Sequence, residues 1–300
     1  MQPAWKVVAY VFWVGAATAG AYLLMTTHPG KGGALFLAHP QAQLWVLALA
    51  AQAGLWAAVA PFLWNACREF KPATRWGWVG WLLLSAVVVV LFVRLERAGL
   101  YGPGPRYPLA HHGGRILALT IAGVVLVLGP GILAMCLIWQ RLRTMPSPDG
   151  ANWPAAGQQA EELLGARERL SQVLLALGLA VGAVTLATGA LRSAVLAYLP
   201  QEASQYPALT PWLLGAGSTV VLAAGYFPAY FALQGASRRL ADAIYPLDRA
   251  DRPDQNWYAD RASFIALLKV ETGPVESFRT GVAILAPLLG SLLATLLPIN

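Results

Sequence analysis

Long apolar windows alternate with short polar stretches along this chain. Seven of those windows approach or exceed the roughly 20 residues an α-helix needs to cross a hydrocarbon layer. They are Trp5–Met25, Leu44–Trp64, Trp76–Val93, Ile116–Trp139, Val173–Leu199, Trp212–Leu233 and Gly281–Pro298. Between them lie segments such as His28-Pro-Gly-Lys-Gly-Gly and Tyr101-Gly-Pro-Gly-Pro-Arg, whose Pro and Gly stop helices and suit water or headgroups. The pattern predicts an all-α, polytopic transmembrane helix bundle forming a single domain over residues 1–300. Its spans fall at about 5–25, 44–64, 76–93, 116–139, 173–199, 212–233 and 281–298. Two longer segments, 140–172 and 235–279, remain on one side, with short helices of their own.

Trp5, Trp45, Trp64, Trp76, Trp78, Trp139 and Trp212 stand at or near window ends, the headgroup level that indoles favour. The first window is apolar from Val7 to Met25, longer than the 7–15 residues of a signal-peptide core. It is read as a true span, although Ala17, Ala19 and Ala21 would suit cleavage.

Composition agrees with the windows. Hydrophobic residues are 57% of the 300 and charged residues 12%, about half the share with which soluble domains face water. The chain is a membrane protein by class, placed as a multi-pass protein in a bacterial-type cytoplasmic membrane, with the lipid bilayer as its first partner. Lys+Arg number 21 against 14 Asp+Glu. No basic stripe interleaved with aromatics accompanies that excess, so nucleic-acid binding is not expected. Cys67 and Cys136 are too few for a disulfide framework and read as small packing residues.

The basic residues report orientation instead. One set of alternate loops, with Lys6, carries fifteen of the 21, among them Arg68, Lys71, Arg75, Arg141, Arg143, Arg167, Arg169, Arg238, Arg239 and Arg261. The opposite set carries Lys31, Arg94, Arg97, Arg106, Arg115 and Arg192. The positive-inside rule puts the N-terminus in the cytoplasm and the C-terminus outside.

On the basic side, residues 145–157 read as an irregular linker rich in Pro and Gly. From Gln158 to Leu170 the pattern is helical, with Ala160, Leu163, Leu164 and Leu170 on one face and Glu161, Glu162, Arg167, Glu168 and Arg169 elsewhere. It enters span five without a breaker. Span six continues likewise through Ser237–Ile244 until Pro246, and an amphipathic helix is expected over Tyr258–Val270.

Candidate chemistry is sparse. No Asp or Glu lies in the middle of a span, which argues against an ion-coupled transporter. Arg192 is the one basic residue that a continuous helix would carry toward lipid, a candidate intramembrane charge. His28, His39, His111 and His112 share the outer face and are weak candidate metal ligands, because imidazoles bind copper and zinc but their spacing matches no metal motif. Gly129-Pro130-Gly131 interrupts span four near its middle and is a candidate functional kink; Pro61, Pro228 and Pro287 interrupt three other spans. Gly178 and Gly182 in span five permit close helix approach. No zinc-helix or phosphate-loop motif occurs, so neither enzymatic activity nor a cofactor is expected.

Three functional readings follow. The leading one is a non-catalytic bundle that acts as sensor, effector or complex subunit, meeting a protein partner or a second copy of itself through its cytoplasmic helices. The alternative is a passive channel or small-solute facilitator built on Pro- and Gly-broken helices. The third is an outer-face metal-binding protein.

Overall fold

The computed structural model describes residues 4–28, 30–70, 113–146, 153–200, 209–246 and 255–268, with Ala86 alone between them. No strand occurs among these residues. In chain order the helices are α1 (Ala4–Thr26), α2 (Gly30–Leu37), α3 (Pro40–Glu69), α4 (Gly113–Gly123), a π-helical turn (Val124–Leu128), α5 (Gly129–Arg143), α6 (Trp153–Tyr198), α7 (Leu209–Ile244) and α8 (Gln255–Leu267).

Five stretches are long and apolar enough to cross a membrane: Trp5–Thr26, Pro40–Glu69, Gly114–Arg143, Pro154–Tyr198 and Trp212–Ile244. Each contains most or all of one sequence-predicted span. The windows Trp76–Val93 and Gly281–Pro298 lie outside the described residues.

The chain direction defines two ends. α1 and α3 are antiparallel, because Tyr10 meets Ala58 and Trp13 meets Ala57 while Thr18 lies against Gly54. One end of the bundle therefore gathers Lys6, the C-termini of α3, α5 and α7, the first turns of α6, and α8. Ion pairs tie it together: Arg169 Nε to Glu69 Oε2 at 2.8 Å, Arg141 Nε to Glu162 Oε1 at 2.7 Å, and Arg261 Nη2 to Asp242 Oδ1 at 2.8 Å. The other end holds the C-terminus of α1, α2, and the starts of α3 and α4. Arg115 in α4 donates from Nη1 to the Leu24 and Thr27 carbonyls, both at 2.6 Å, a cation placed on the free carbonyls of a helix C-terminus.

The main core sits between α3, α5, α6 and α7, around Leu63, Ile138, Leu163, Leu174, Leu177 and Leu222. A second, smaller core at the far end packs Met25, Phe36, Trp45 and Val195. α1 packs chiefly along α3, and many of its large side chains, such as Trp5, Val8 and Phe12, stay exposed. That is the surface expected of a helix solvated by lipid on its outer side.

The structure departs from the sequence pattern at several places. The Gly-rich stretch after Pro29 is not a plain loop, since Gly30–Leu37 is helical. Phe36 explains it: fully buried, it meets Trp45 at 6.3 Å and Tyr198 edge-on at 5.5 Å, and tertiary packing overrides the low helix propensity of glycine. For the same reason Trp45 is a core residue, 1% exposed, and not a headgroup anchor. The 145–157 linker is shorter than expected, because α6 already begins at Trp153, with Pro154 in its first turn where a missing N–H costs nothing. Cys136 is exposed rather than packed, while Cys67 is buried. The amphipathic helix begins at Gln255 and ends at Leu267, a few residues earlier than the pattern suggested.

The continuity of spans five and six with their polar extensions does hold. α6 is one helix of 46 residues and α7 one of 36. At about 1.5 Å per residue they measure roughly 69 and 54 Å, against a hydrocarbon layer of about 30 Å. Both overrun any bilayer they cross.

Candidate interaction site at the charged end

The overrun begins with the spacing of α6. Ala156, Ala160, Leu163, Arg167, Leu170, Leu174 and Leu177 are all buried, and their alternating steps of four and three put them on one seam, as in a coiled coil. Sequence patterning set Arg167 apart from the apolar face. In the structure it occupies a core position of the seam, 8% exposed, and is the only buried charged residue among those described. The signal was present in the register: Arg167 falls four residues after Leu163 and three before Leu170.

Around this seam α3, α5 and α6 leave a recess of about 470 Å³, lined in part by Glu69, Gln140, Arg141, Thr144, Glu162 and Gly165. Its walls carry both charges of the Arg141–Glu162 pair and the carboxylate that Arg169 holds. Each acid has its cation, so the recess is polar but locally balanced. Arg239 on α7 reaches the Leu142 carbonyl at 3.5 Å, and Gln159 Nε2 donates to the Pro146 carbonyl at 3.1 Å, so the ends of the helices are cross-linked.

α8 packs against α7 at the same end of the bundle. Phe264 and Ile265 pack on the main core and Leu268 is buried. Trp257 and Phe264 meet Tyr245 at ring distances of 6.1 and 6.0 Å. Burial, then the nearby Asp260 carboxylate, push the Tyr245 phenol above its ordinary pKa. Tyr258 and Leu267 are 55% and 56% exposed; nine residues apart, they stand on opposite flanks of the docked helix.

The Gly129-Pro130-Gly131 site is built differently from an open break. The helix runs through it, with Gly129 itself at φ −59° and ψ −54°. The preceding turn widens to a π-turn, closed by the Gly129 N–H on the Val124 carbonyl, and this accommodates the missing proline N–H without unwinding. All three residues are buried. A Cβ on Gly131 would stand 2.5–2.7 Å from the Leu177 side chain, so the glycine lets α5 approach α6. Cys67 Sγ lies 3.1 Å from the Pro130 carbonyl as its donor. What the sequence presents as a break is, in space, a close packing junction.

Pro61 is likewise joined rather than gaping. It denies the Ala57 carbonyl its usual partner four residues on, and Trp13 Nε1 of α1 donates to that carbonyl at 3.1 Å. Tyr10 donates to the neighbouring Ala58 carbonyl at 2.8 Å. Nothing in the sequence pairs these helices at that level. Gly178 is buried and Gly182 half-buried, as close helix approach requires.

At the opposite end, His28 is exposed and has φ 51°, a left-handed turn leaving α1. His39 caps the start of α3, half-buried, and its Nδ1 is buried without a hydrogen bond. His111 and His112 lie outside the described residues. No group of three or more metal-binding side chains gathers among the described residues. Arg192 is half-buried near the end of α6. The structure thus places His28, His39 and Arg192 at the same end, far from the charged recess and from the Gly129–Gly131 junction. No protein-family model, curated protein or solved structure matches the chain.

Proposed function

We propose that this protein is a seven-span, non-catalytic membrane bundle that works through its charged end, as sensor, effector or subunit, by docking a protein partner on the cytoplasmic side. The observation that carries the reading is the overrun of α6 and α7. Two helices far longer than a bilayer is thick emerge at one end, where the ion pairs and α8 hold them together and Tyr258 and Leu267 are left exposed on the two flanks of α8.

Charge and parity support this orientation and span number. Among the described residues the charged end holds Lys6, Arg68, Arg141, Arg143, Arg167, Arg169, Arg238, Arg239 and Arg261, and the other end Lys31, Arg115 and Arg192. By the positive-inside rule the first set is cytoplasmic. α3 finishes at that end, yet α4 starts at the other, held by Arg115 to the C-terminus of α1. Trp76–Val93 and Gly281–Pro298 lie outside the described residues and are counted as the remaining two crossings from their apolar length alone.

The channel reading draws less support. Three threonine hydroxyls within the spans are bonded to their own helices: Thr185 to the Gly182 carbonyl, Thr188 to that of Val184 and Thr219 to that of Gly215. The interior between α5, α6 and α7 is filled mostly with Leu, Ile, Val, Ala and Met, with Tyr226 among them. The decisive experiment is recovery of the full chain in mild detergent with whatever binds it in stoichiometric amount. A partner lost from Tyr258→Ala and Leu267→Asp but kept by Arg192→Gln at the opposite end supports docking on α8. A chain that is alone under every mild condition, or whose partner ignores both α8 substitutions, overturns it.

A further inference from the structure

A groove of about 580 Å³ opens between α1, α3 and the α4 to π-turn segment. Its sides are mostly apolar and many are small, including Ala17 and Gly20 of α1, Ala53 and Ala60 of α3, and Ala122 of α4. Trp13 and Trp56 form flat walls within it. At its charged end the character changes: the last residues to line it are Asn65 and Arg68, both exposed. From Ala53 to Arg68 the groove follows 15 steps of α3, about 22 Å at 1.5 Å each, deeper than the roughly 15 Å of one hydrocarbon leaflet.

We propose that this groove holds an anionic phospholipid from the leaflet on the charged side, its phosphate on Arg68 and one acyl chain along the alanine-lined wall. The distribution of charge selects this occupant. Arg141, Arg169 and Arg261 each have a carboxylate. Arg68 forms no ion pair or hydrogen bond among the described residues, and the acid beside it, Glu69, is already held by Arg169. A guanidinium left open at headgroup level, above a greasy slot, matches a phosphodiester joined to an acyl chain. An apolar helix filling the slot would cover its sides and leave the cation unanswered.

The inference rests on the membrane reading and not on the partner proposed above, so Tyr258→Ala and Leu267→Asp on α8 should leave it untouched. The full chain, purified in mild detergent, is titrated with phosphatidylglycerol or with phosphatidylcholine of the same chains, and bound lipid is counted by native mass spectrometry. Phosphatidylglycerol is expected to bind in preference. Arg68→Gln should weaken it about tenfold, the value of one charge-assisted bond of about 1.4 kcal/mol. Arg238→Gln, an equal loss of charge at an exposed position on α7, should leave it within twofold. Ala122→Phe, which fills the slot, should abolish retention; if that variant does not fold, the two arginine variants decide. Equal binding of the two lipids, or equal losses in both arginine variants, overturns the proposal by showing surface attraction alone. A disulfide forming between cysteines placed at 86 and 122, in a chain lacking Cys67 and Cys136, would overturn it in favour of the chain's own segment as occupant.

Discussion

The Trp13–Ala57 bond allows a quantitative test of how this bundle joins a proline-bearing helix to its neighbour. Pro61 leaves the Ala57 carbonyl without its intrahelical donor, and in lipid no water replaces it. Trp13 stands 52% exposed on the outer helix, so its ring gains little from burial and its N–H is the specific part of the contact. Interhelical hydrogen bonds in membranes contribute about 0.6 kcal/mol on average and up to about 1.7. A carbonyl with no other partner belongs toward the upper end, so Trp13→Phe should cost about 1 kcal/mol, a fivefold shift of the folding equilibrium. Pro61→Ala returns an N–H to Ala57. In that background Trp13→Phe should lose only the small difference in ring area. The assay is reversible unfolding of the four chains (wild type, each single variant and the double) in mixed micelles of mild detergent and dodecyl sulfate, followed by tryptophan fluorescence and circular dichroism. A coupling energy near 1 kcal/mol is expected. If Trp13→Phe costs the same in both backgrounds to within about 0.5 kcal/mol, the scatter of independent sites, the bond does not compensate the proline.

Glycines should divide by what surrounds them. Gly131→Ala drives a Cβ to 2.5–2.7 Å from Leu177 and should destabilise by about 1–3 kcal/mol through overpacking. Gly15→Ala meets nothing within 4 Å and should instead stabilise by up to about 1 kcal/mol, both read by the same unfolding assay. Arg261→Ala removes a partly exposed ion pair with Asp242 and should change stability by no more than about 1 kcal/mol, whereas Phe264→Ala should free α8 to protease at far lower enzyme concentrations. Reporter fusions after residue 150 should be active only in the cytoplasm and those after residue 203 only outside, and the reverse pattern would invert the bundle.

Much of the fold was legible because lipid imposes one rule, that a crossing needs apolar length, and five stretches are long and apolar enough to meet it. The long continuous α6 was legible too, since Gln158 to Leu199 contains no proline. Sequence failed where tertiary contacts outvoted local preference. Glycines 30, 32 and 33 entered a helix because Phe36 had a socket formed by Trp45 and Tyr198. Trp45 left its interfacial role for the same socket. Arg167 was placed on the wrong side because charge alone was weighed, while its register matched that of Leu163 and Leu170. At the candidate site, the acids and bases were visible as residues, but their pairing was not: Glu69 and Arg169 are a hundred positions apart, and only the packing of α3 on α6 brings them together.

The prolines show most clearly why a breaker in a sequence does not identify a cavity. A missing N–H has to be answered somewhere inside a bilayer, and three answers are available: a donor from another helix, a local change of helical pitch, or solvent. Pro61 takes the first through Trp13, and Pro130 the second through the Val124–Leu128 turn. Only the third would need a water-filled space, and neither site requires it. A polar conduit is therefore not implied by the glycine and proline content of these spans. Charges are exposed and fixed where α6 and α7 overrun the bilayer, and there a second protein could be recognised without any opening through the bundle.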